Sequence, residues 1–376
     1  MSACEECRRR AWLLARLGAC LDYLAHDRDR LAAALALTDT ELIDALGGRR
    51  RAELRAGYAA FASAAVEHMP GVTGLCRHDG RYPRALSGAA APWMLHLAGH
   101  PQRLERLGAA PVVALLGSTR ASDYGLETAR GLARGLAASG VTVASTVAAG
   151  IALSVQRGAL EGGGGLAVFG DGLGVPCSGL PRALLAPRAA GGCVVSELPC
   201  QVRGRRWGPA AAERIVVGLA QAVVVVEAGN GPRDLAGARL AQSLGREIAA
   251  VPGRVSSPLS QGPHLLLCEG ARLARGTEDV LELLSRAGVP DLARAPGIAE
   301  PLLTPALQAV LERVACGHDT PERLAAGMDI GIDELLLALS ELELQGALTR
   351  GENGRYLPAA RLADGAAGAG PGLQSG

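Results

Sequence analysis

The sequence predicts an α/β protein: a doubly wound, mostly parallel sheet, with a helical module before it and a small helix-and-hairpin module after it. Three observations predict this. From Pro111 onward, short apolar runs alternate with helical stretches, the pattern of a parallel sheet covered on both faces. Before residue 78, leucines recur at helical spacing. After residue 303, three helical stretches precede two short strands around Gly351–Gly354.

The chain has 376 residues, which suits two or three domains, and 49% of them are hydrophobic, enough for a sizeable core. Aromatics are only 3%, so that core must be aliphatic. All 38 basic residues are arginine, so any role usually given to lysine must be absent or fall to arginine. Net charge is +1 and says nothing about partners, but its distribution does. Residues 1–110 carry 15 Arg against 12 acids, 111–284 carry 16 against 13, and 285–376 carry 7 against 12. A polyanion is expected to prefer the first two segments over the last.

Residues 11–67 read as helices, with Leu13, Leu14, Leu17, Leu21 and Leu24 on one face and Thr38 or Thr40 capping a further helix. A helical domain over 1–77, of a SAM-like or helix-hairpin-helix-like kind, is expected. Residues 78–100 are irregular, with a short strand around Met94–Leu97. The core over 78–284 is expected to be Rossmann-like, with strands at Val112–Leu116, Val141–Ala144, Leu166–Phe169, Cys193–Val195, Ala222–Val226 and Ile248–Val251. Helices are expected at Tyr124–Ser139, Ile151–Leu160, Leu180–Ala190, Ala211–Ala220 and Leu235–Leu244. Four residues, Gly288, Pro290, Pro296 and Pro301, mark 285–303 as a linker. Helices Pro305–Ala315, Pro321–Ala326 and Ile332–Leu344, then strands Ala347–Arg350 and Arg355–Leu357, suit a winged helix over 304–360. The Gly/Ala-rich tail over 361–376 reads as disordered.

The first ten residues are polar and lack the apolar run of a signal peptide, and no uninterrupted apolar stretch reaches about 18 residues, the usual spanning length. A cytoplasmic protein with reduced thiols and no membrane partner is therefore expected. Cys4 and Cys7 form a C-x-x-C, which could be half of a zinc site. No second close cysteine pair follows, so the expectation is two ordinary thiols on a frayed terminus, without metal.

In an open parallel sheet, ligands bind beyond the carboxyl ends of the strands. Several strands here end in glycine or a small polar residue: Gly117-Ser118-Thr119-Arg120, Ser145-Thr146, Gly170-Asp171-Gly172, Ser196-Glu197, Glu227-Ala228-Gly229 and Pro252-Gly253. Small residues let backbone N–H groups approach a phosphate, and a following helix N-terminus favours an anion. Neither a G-x-x-x-x-G-K-[ST] loop nor a G-x-G-x-x-G after the first strand is present, which removes support for P-loop hydrolysis and ordinary dinucleotide binding.

The order of short motifs resembles the DNA-processing protein A (DprA/Smf) family over roughly 78–284. It runs Val112–Ser118, Tyr124-Gly125, Gly150-Ile151, Arg157–Leu160, Gly170–Leu173, Ser196–Pro199 and Arg214–Leu219, then Val225–Ala228, Ala238–Ala241, Gly245–Glu247, Ala250–Gly253, Ser257–Ser260, Gly262 and Glu269–Ala271. Upstream, Asp79, Tyr82-Pro83 and Leu86 fit as well. The resemblance implies a non-enzymatic protein without cofactor that binds single-stranded DNA and hands it to the RecA recombinase during uptake or recombination. It also implies a homodimer formed through the central domain.

The framework matches better than the ligand rim. The family's Gly-Ser-Arg is Gly117-Ser118-Thr119 here, with Arg120 one place late, and its Phe-Pro-Arg-Arg-Asn-Arg is Pro209–Arg214. Arg203, Arg205 and Arg206, with Trp207, lie just upstream and are candidates for replacement phosphate contacts and a stacking ring. The candidate nucleic-acid-binding residues are therefore Gly117, Ser118, Arg120, Gly150, Gly172, Arg205, Arg206, Trp207 and Arg214. Arg214 has an equal alternative, pairing with Glu197 or Glu227, and those two acids read as structural. The helix Ile332–Leu344 holds Asp333, Glu334, Glu341 and Glu343 and no arginine, so it is a poor major-groove reader. Two other readings stay open: a nucleotide-binding protein similar to the lysine-decarboxylase-like (LOG) group, whose Pro-Gly-Gly-x-Gly-Thr motif is absent, and a scaffold that has lost its ligand.

Overall fold

The structure, a computed structural model, describes residues 3–61, 69–86, 88, 91–99, 111–176, 192–289, 303–328, 330–344, 347–350 and 355–358. The expected helix Leu180–Ala190, residues 62–67 of the expected helical stretch, residues 290–302 of the linker, the hairpin tip Gly351–Gly354 and the tail lie outside these residues.

Nine strands form one sheet in the order β1-β2-β6-β5-β4-β3-β7-β8-β9. They are β1 Thr73–Cys76, β2 Met94–Gly99, β3 Val112–Leu116, β4 Thr142–Thr146, β5 Leu166–Phe169, β6 Cys193–Ser196, β7 Ala222–Val225, β8 Glu247–Ala250 and β9 Arg272–Leu273. The run from β6 to β9 is parallel, and β2 pairs antiparallel with both β1 and β6. The sheet therefore begins at Thr73, ahead of the boundary at residue 78 drawn from sequence. The reason is that β1 is recognised by its partner: four residues with Gly74 inside carry little strand signal until β2 pairs with them.

Side chains alternate across the pleat, and the two faces bury separate cores. Val112 and Ala114 of β3 and Val223 of β7 face one core, under Ile215, Val216 and Leu219 of a helix Trp207–Leu219. Val113 and Leu115 of β3 and Val224 of β7 face the other, under helices Asp123–Ala138, Ile151–Glu161 and Thr277–Arg286. Between β3 and β7 the chain direction around the sheet reverses, since β4, β5 and β6 add on one side and β7, β8 and β9 on the other. That is where such sheets open a crevice.

Before the sheet come α1 Glu5–Arg16, α2 Gly18–Leu24, α3 Arg28–Ala36, α4 Asp39–Leu46 and α5 Arg51–Ala59. Thr38 and Glu41 form a reciprocal capping box at the start of α4. Buried Arg10 holds the helices together, donating to Asp39 at 2.7 Å and to the carbonyls of Leu35 and Leu37. The leucines read at helical spacing do form a core, but it is shared: Leu13, Leu17, Leu21 and Leu42 pack with Leu198, Trp207, Ala210 and Ala211 of the sheet domain. From Ala3 onward the described amino terminus is packed, not frayed as the sequence suggested. Cys4 is the N-cap residue of α1, and Cys7 is fully buried against Cys76 of β1.

Numbering the later helices in order, α6 is Asp123–Ala138, α7 Ile151–Glu161, α8 Trp207–Leu219, α9 Ala236–Ser243, α10 Gln261–Cys268 and α11 Thr277–Arg286. The last module comprises α12 Pro305–Ala315, α13 Pro321–Ala325 and α14 Ile332–Leu344, with β10 Leu348–Arg350 antiparallel to β11 Tyr356–Pro358. Thr304-Pro305 and Thr320-Pro321 each place a capping hydroxyl ahead of a proline already set for the first helical turn. Leu307, Val310, Leu324, Leu335, Leu339 and Tyr356 fill its core. None of the described helices is long and apolar enough to cross a membrane.

Candidate nucleic-acid interface

The carboxyl ends of the parallel strands gather the candidate residues on one edge of the sheet. At the crevice, the loop after β3 is held from two sides. Ser118 donates its N–H to the Glu227 carbonyl at 2.7 Å, and its own carbonyl accepts from Ile151 N–H at 3.0 Å. Ser118 Oγ and the Arg120 backbone bond each other at 3.0 and 3.1 Å, which turns the Arg120 side chain out to solvent. Gly117 is required by closeness, because a side chain there would meet Ile151 at 2.7 Å and the Glu227 carbonyl at 2.8 Å. Gly150 has φ +69°, and a side chain on it would collide with the Ser118 carbonyl. Thus Gly117, Ser118, Arg120 and Gly150 do converge, with two glycines shaping the loop and Arg120 presenting the charge.

Three acids on this edge are used internally, while Asp234, beside Arg233, is exposed. Glu227 accepts from Ser122 N–H at 2.8 Å and Ser122 Oγ at 2.5 Å, fixing the start of α6. Asp171 Oδ1 accepts from Gly204 N–H at 2.6 Å. Glu197 takes both of its oxygens to Arg214 Nη2 at 2.7 Å, in a pair whose side chains are 12% and 6% exposed. Of the two readings of Arg214, the structure gives the ion pair with Glu197, and this removes Arg214 from the phosphate-contacting rim. Tyr82 lies in the same electrostatic neighbourhood; burial, with the Glu197 charge, pushes its phenol well above its ordinary range.

Two further candidates are displaced from the roles the sequence suggested. Gly172 is buried, its N–H donates to the Val202 carbonyl at 2.7 Å, and a side chain there would collide with the Pro199 carbonyl. It joins the loops after β5 and β6 instead of facing a ligand. Trp207 is 1% exposed, packed among the N-terminal leucines, and cannot stack on a base. The cause is that α8 begins at Trp207, four residues before the expected Ala211, which turns the ring inward.

Arg205 and Arg206 are exposed, as is Arg203, and none makes an ion pair among the described residues. The backbone at the end of this loop is committed, however. Asp22 of α2 accepts from the N–H groups of Arg206 at 2.8 Å and Trp207 at 3.1 Å, so it caps α8 from another module. A phosphate cannot use that helix N-terminus, and only the arginine side chains remain for it. Strand β6 stands three positions from β3, about 14 Å at about 4.8 Å per strand. The free arginines therefore span a length suited to a chain of phosphates.

Sequence reasoning missed Arg233 and Arg254. Both are exposed in the loops after β7 and β8, beside the Arg120 loop. The Ala228 N–H donates to the Leu259 carbonyl at 2.8 Å and Tyr124 OH to the Pro252 carbonyl at 2.9 Å, which knits these loops together. The strand-end rule that selected Arg120 selects these two as well.

The DNA recombination-mediator protein A family matches residues 73–285. The chain is 35% identical over 284 residues to a putative DNA processing protein DprA of Mycobacterium tuberculosis, covering 72% of each chain. It is 35% identical over 204 residues to protein Smf of Escherichia coli, 54% of each. Among solved structures, DNA processing protein A of Streptococcus pneumoniae superposes with a TM-score of 0.56 at 25% identity, covering 75% of this chain and 98% of that one. The Helicobacter pylori DNA processing protein A, studied for its single-stranded DNA binding mode, gives a TM-score of 0.50 at 23% identity over 57% of this chain and 96% of that one.

Proposed function

Since this chain belongs to the DNA recombination-mediator protein A family, we propose that it binds single-stranded DNA without catalysis along the carboxyl edge of its sheet. The observation that carries this is the charge pattern of that edge. Arg120, Arg203, Arg205, Arg206, Arg233 and Arg254 project to solvent, while Asp171, Glu197 and Glu227 are consumed by internal partners. Such an edge tracks phosphates and carries little means of reading bases. The nearby backbone N–H groups are largely bonded within the protein, so affinity rests on guanidinium groups and is steeply salt-dependent.

Handing the strand to a RecA-type recombinase in DNA uptake or recombination, homodimerisation through the central domain and a cytoplasmic setting are part of this reading and rest on family membership. The five N-terminal helices serve as a SAM-like or helix-hairpin-helix-like module that buttresses α8. The three helices and hairpin at the other end serve as a winged helix whose acidic α14 suits protein contact better than DNA.

The test is fluorescence anisotropy of a labelled single-stranded oligonucleotide at low and high salt, with the Arg120→Ala/Arg205→Ala/Arg206→Ala variant alongside. Binding that weakens steeply with salt and falls about tenfold or more in the variant is expected, as three lost charge contacts imply. No binding by the parent chain at low salt overturns the reading and moves weight to a nucleotide ligand or a scaffold.

A further inference from the structure

The C-x-x-C at the amino terminus meets a second pair of ligands that lies about seventy residues away in the chain. Cys4, Cys7, Cys76 and His78 bring three Sγ atoms and one imidazole nitrogen within 4.8 Å of one another. His78 Nδ1 lies 3.3 Å from Cys4 Sγ and 3.5 Å from Cys7 Sγ. In a tetrahedral zinc site with metal–sulfur bonds of about 2.3 Å and metal–nitrogen bonds of about 2.1 Å, ligand atoms stand roughly 3.6–3.8 Å apart. The cluster is already close to that size.

The local backbone explains the convergence. Cys4 precedes the first turn of α1 and Cys7 lies within it, so a two-residue spacing turns both thiols to one side. Cys76 ends β1, and the turn that follows, closed by the Asp79 N–H donating to the Cys76 carbonyl at 2.8 Å, brings His78 back beside it. The intervening Arg77 points elsewhere, with its guanidinium 3.6 Å from the centre of the Trp93 ring. Cys7 and Cys76 are 0% and 5% exposed, in a small apolar cluster with Ala3, Ala11 and Met94. None of the described cysteines is in a disulfide.

We propose that Cys4, Cys7, Cys76 and His78 form a structural zinc site that clamps the first helix to the first strand of the sheet. Three thiolates and one imidazole are a closed set of four protein ligands, which leaves no position for substrate or catalytic water. Its role is mechanical: it joins the start of the helical module to the sheet edge, while Trp207 and Asp22 join that module to α8.

The experiment uses the full-length chain without a metal-binding tag, purified with reductant. Elemental analysis is expected to give one zinc per chain. Cobalt replacement is expected to give the visible bands of a tetrahedral ion and a thiolate-to-metal charge-transfer band in the near ultraviolet. Cys4→Ser/Cys7→Ser and His78→Ala are expected to lose the metal, and Cys268→Ser, an exposed thiol outside the cluster, to keep it. Chelation is expected to lower the Tm of the parent chain. Absence of bound zinc together with absence of the cobalt charge-transfer band in the parent chain overturns the proposal. Because the parent chain carries the cobalt readout, a variant that fails to fold does not remove the test.

Discussion

Arg214 and Glu197 show how a single pairing decides what a residue is for. A guanidinium near a strand end reads equally as a phosphate contact or a partner for a carboxylate, and only three-dimensional closeness separates the two. Here the pair is largely buried, and Arg214 Nε and Nη1 have no hydrogen-bond partner among the described residues. Removing one member leaves the other charged and desolvated, which costs about 3–5 kcal/mol, whereas replacing both with apolar groups is often near neutral. Arg214→Met is therefore expected to destabilise by that amount, and Arg214→Met/Glu197→Leu by much less. Urea unfolding followed by tryptophan fluorescence checks this, and equal, additive losses would refute the pairing. Trp207 teaches the same lesson. A tryptophan after three arginines reads as a stacking ring, and nothing in its neighbours betrays that the helix starts early enough to bury it. Cys4 and Cys7 were visible as half a site, but Cys76 and His78 are not a close cysteine pair, and the sheet edge that brings them over was itself hard to see.

At the level of elements, the parallel strands from β3 to β8 were legible because each is a short apolar run buried on both faces and closed by a small residue. Their ends shift by a residue or two, as with β4, read from Val141 and found at Thr142–Thr146. What sequence could not give is the partner of an element. Strand β1 depends on β2, and α8 depends on α2, because the cap of α8 is Asp22 rather than a residue of its own loop. This supplies a clean test at the same scale. Asp22→Ala is expected to cost about 1 kcal/mol, the usual worth of an N-cap. Asp22→Asn, which keeps an acceptor, is expected to recover most of it. Urea denaturation of both variants decides the matter. If the asparagine variant is as weak as the alanine variant, the stabilisation comes from charge and not from the two N–H bonds.

Across the whole molecule, charge is sorted by segment more than by total. The chain is nearly neutral, yet the residues beyond 284 carry 12 acids and 7 arginines, and four of those acids lie on α14. That module is close to the rim: a side chain at Gly317 would meet the Arg254 guanidinium at 3.8 Å. Two expectations compete. If α14 reads DNA as a recognition helix, removing the module weakens binding at every salt concentration. If the module only brings like charge near the bound strand, removing it strengthens binding at low salt, by roughly two- to fivefold, since exposed charges act with energies of about 1 kcal/mol or less. The acidic composition favours the second. A chain ending at Val289 is therefore expected to bind single-stranded DNA more tightly than the full chain at low ionic strength. The two are expected to converge above about 0.5 M salt, where screening shortens the reach of the field to a few ångströms. Anisotropy titrations of both chains across a salt series separate the cases, because loss of affinity on truncation at high salt would mean that the module contacts DNA directly, whatever its charge.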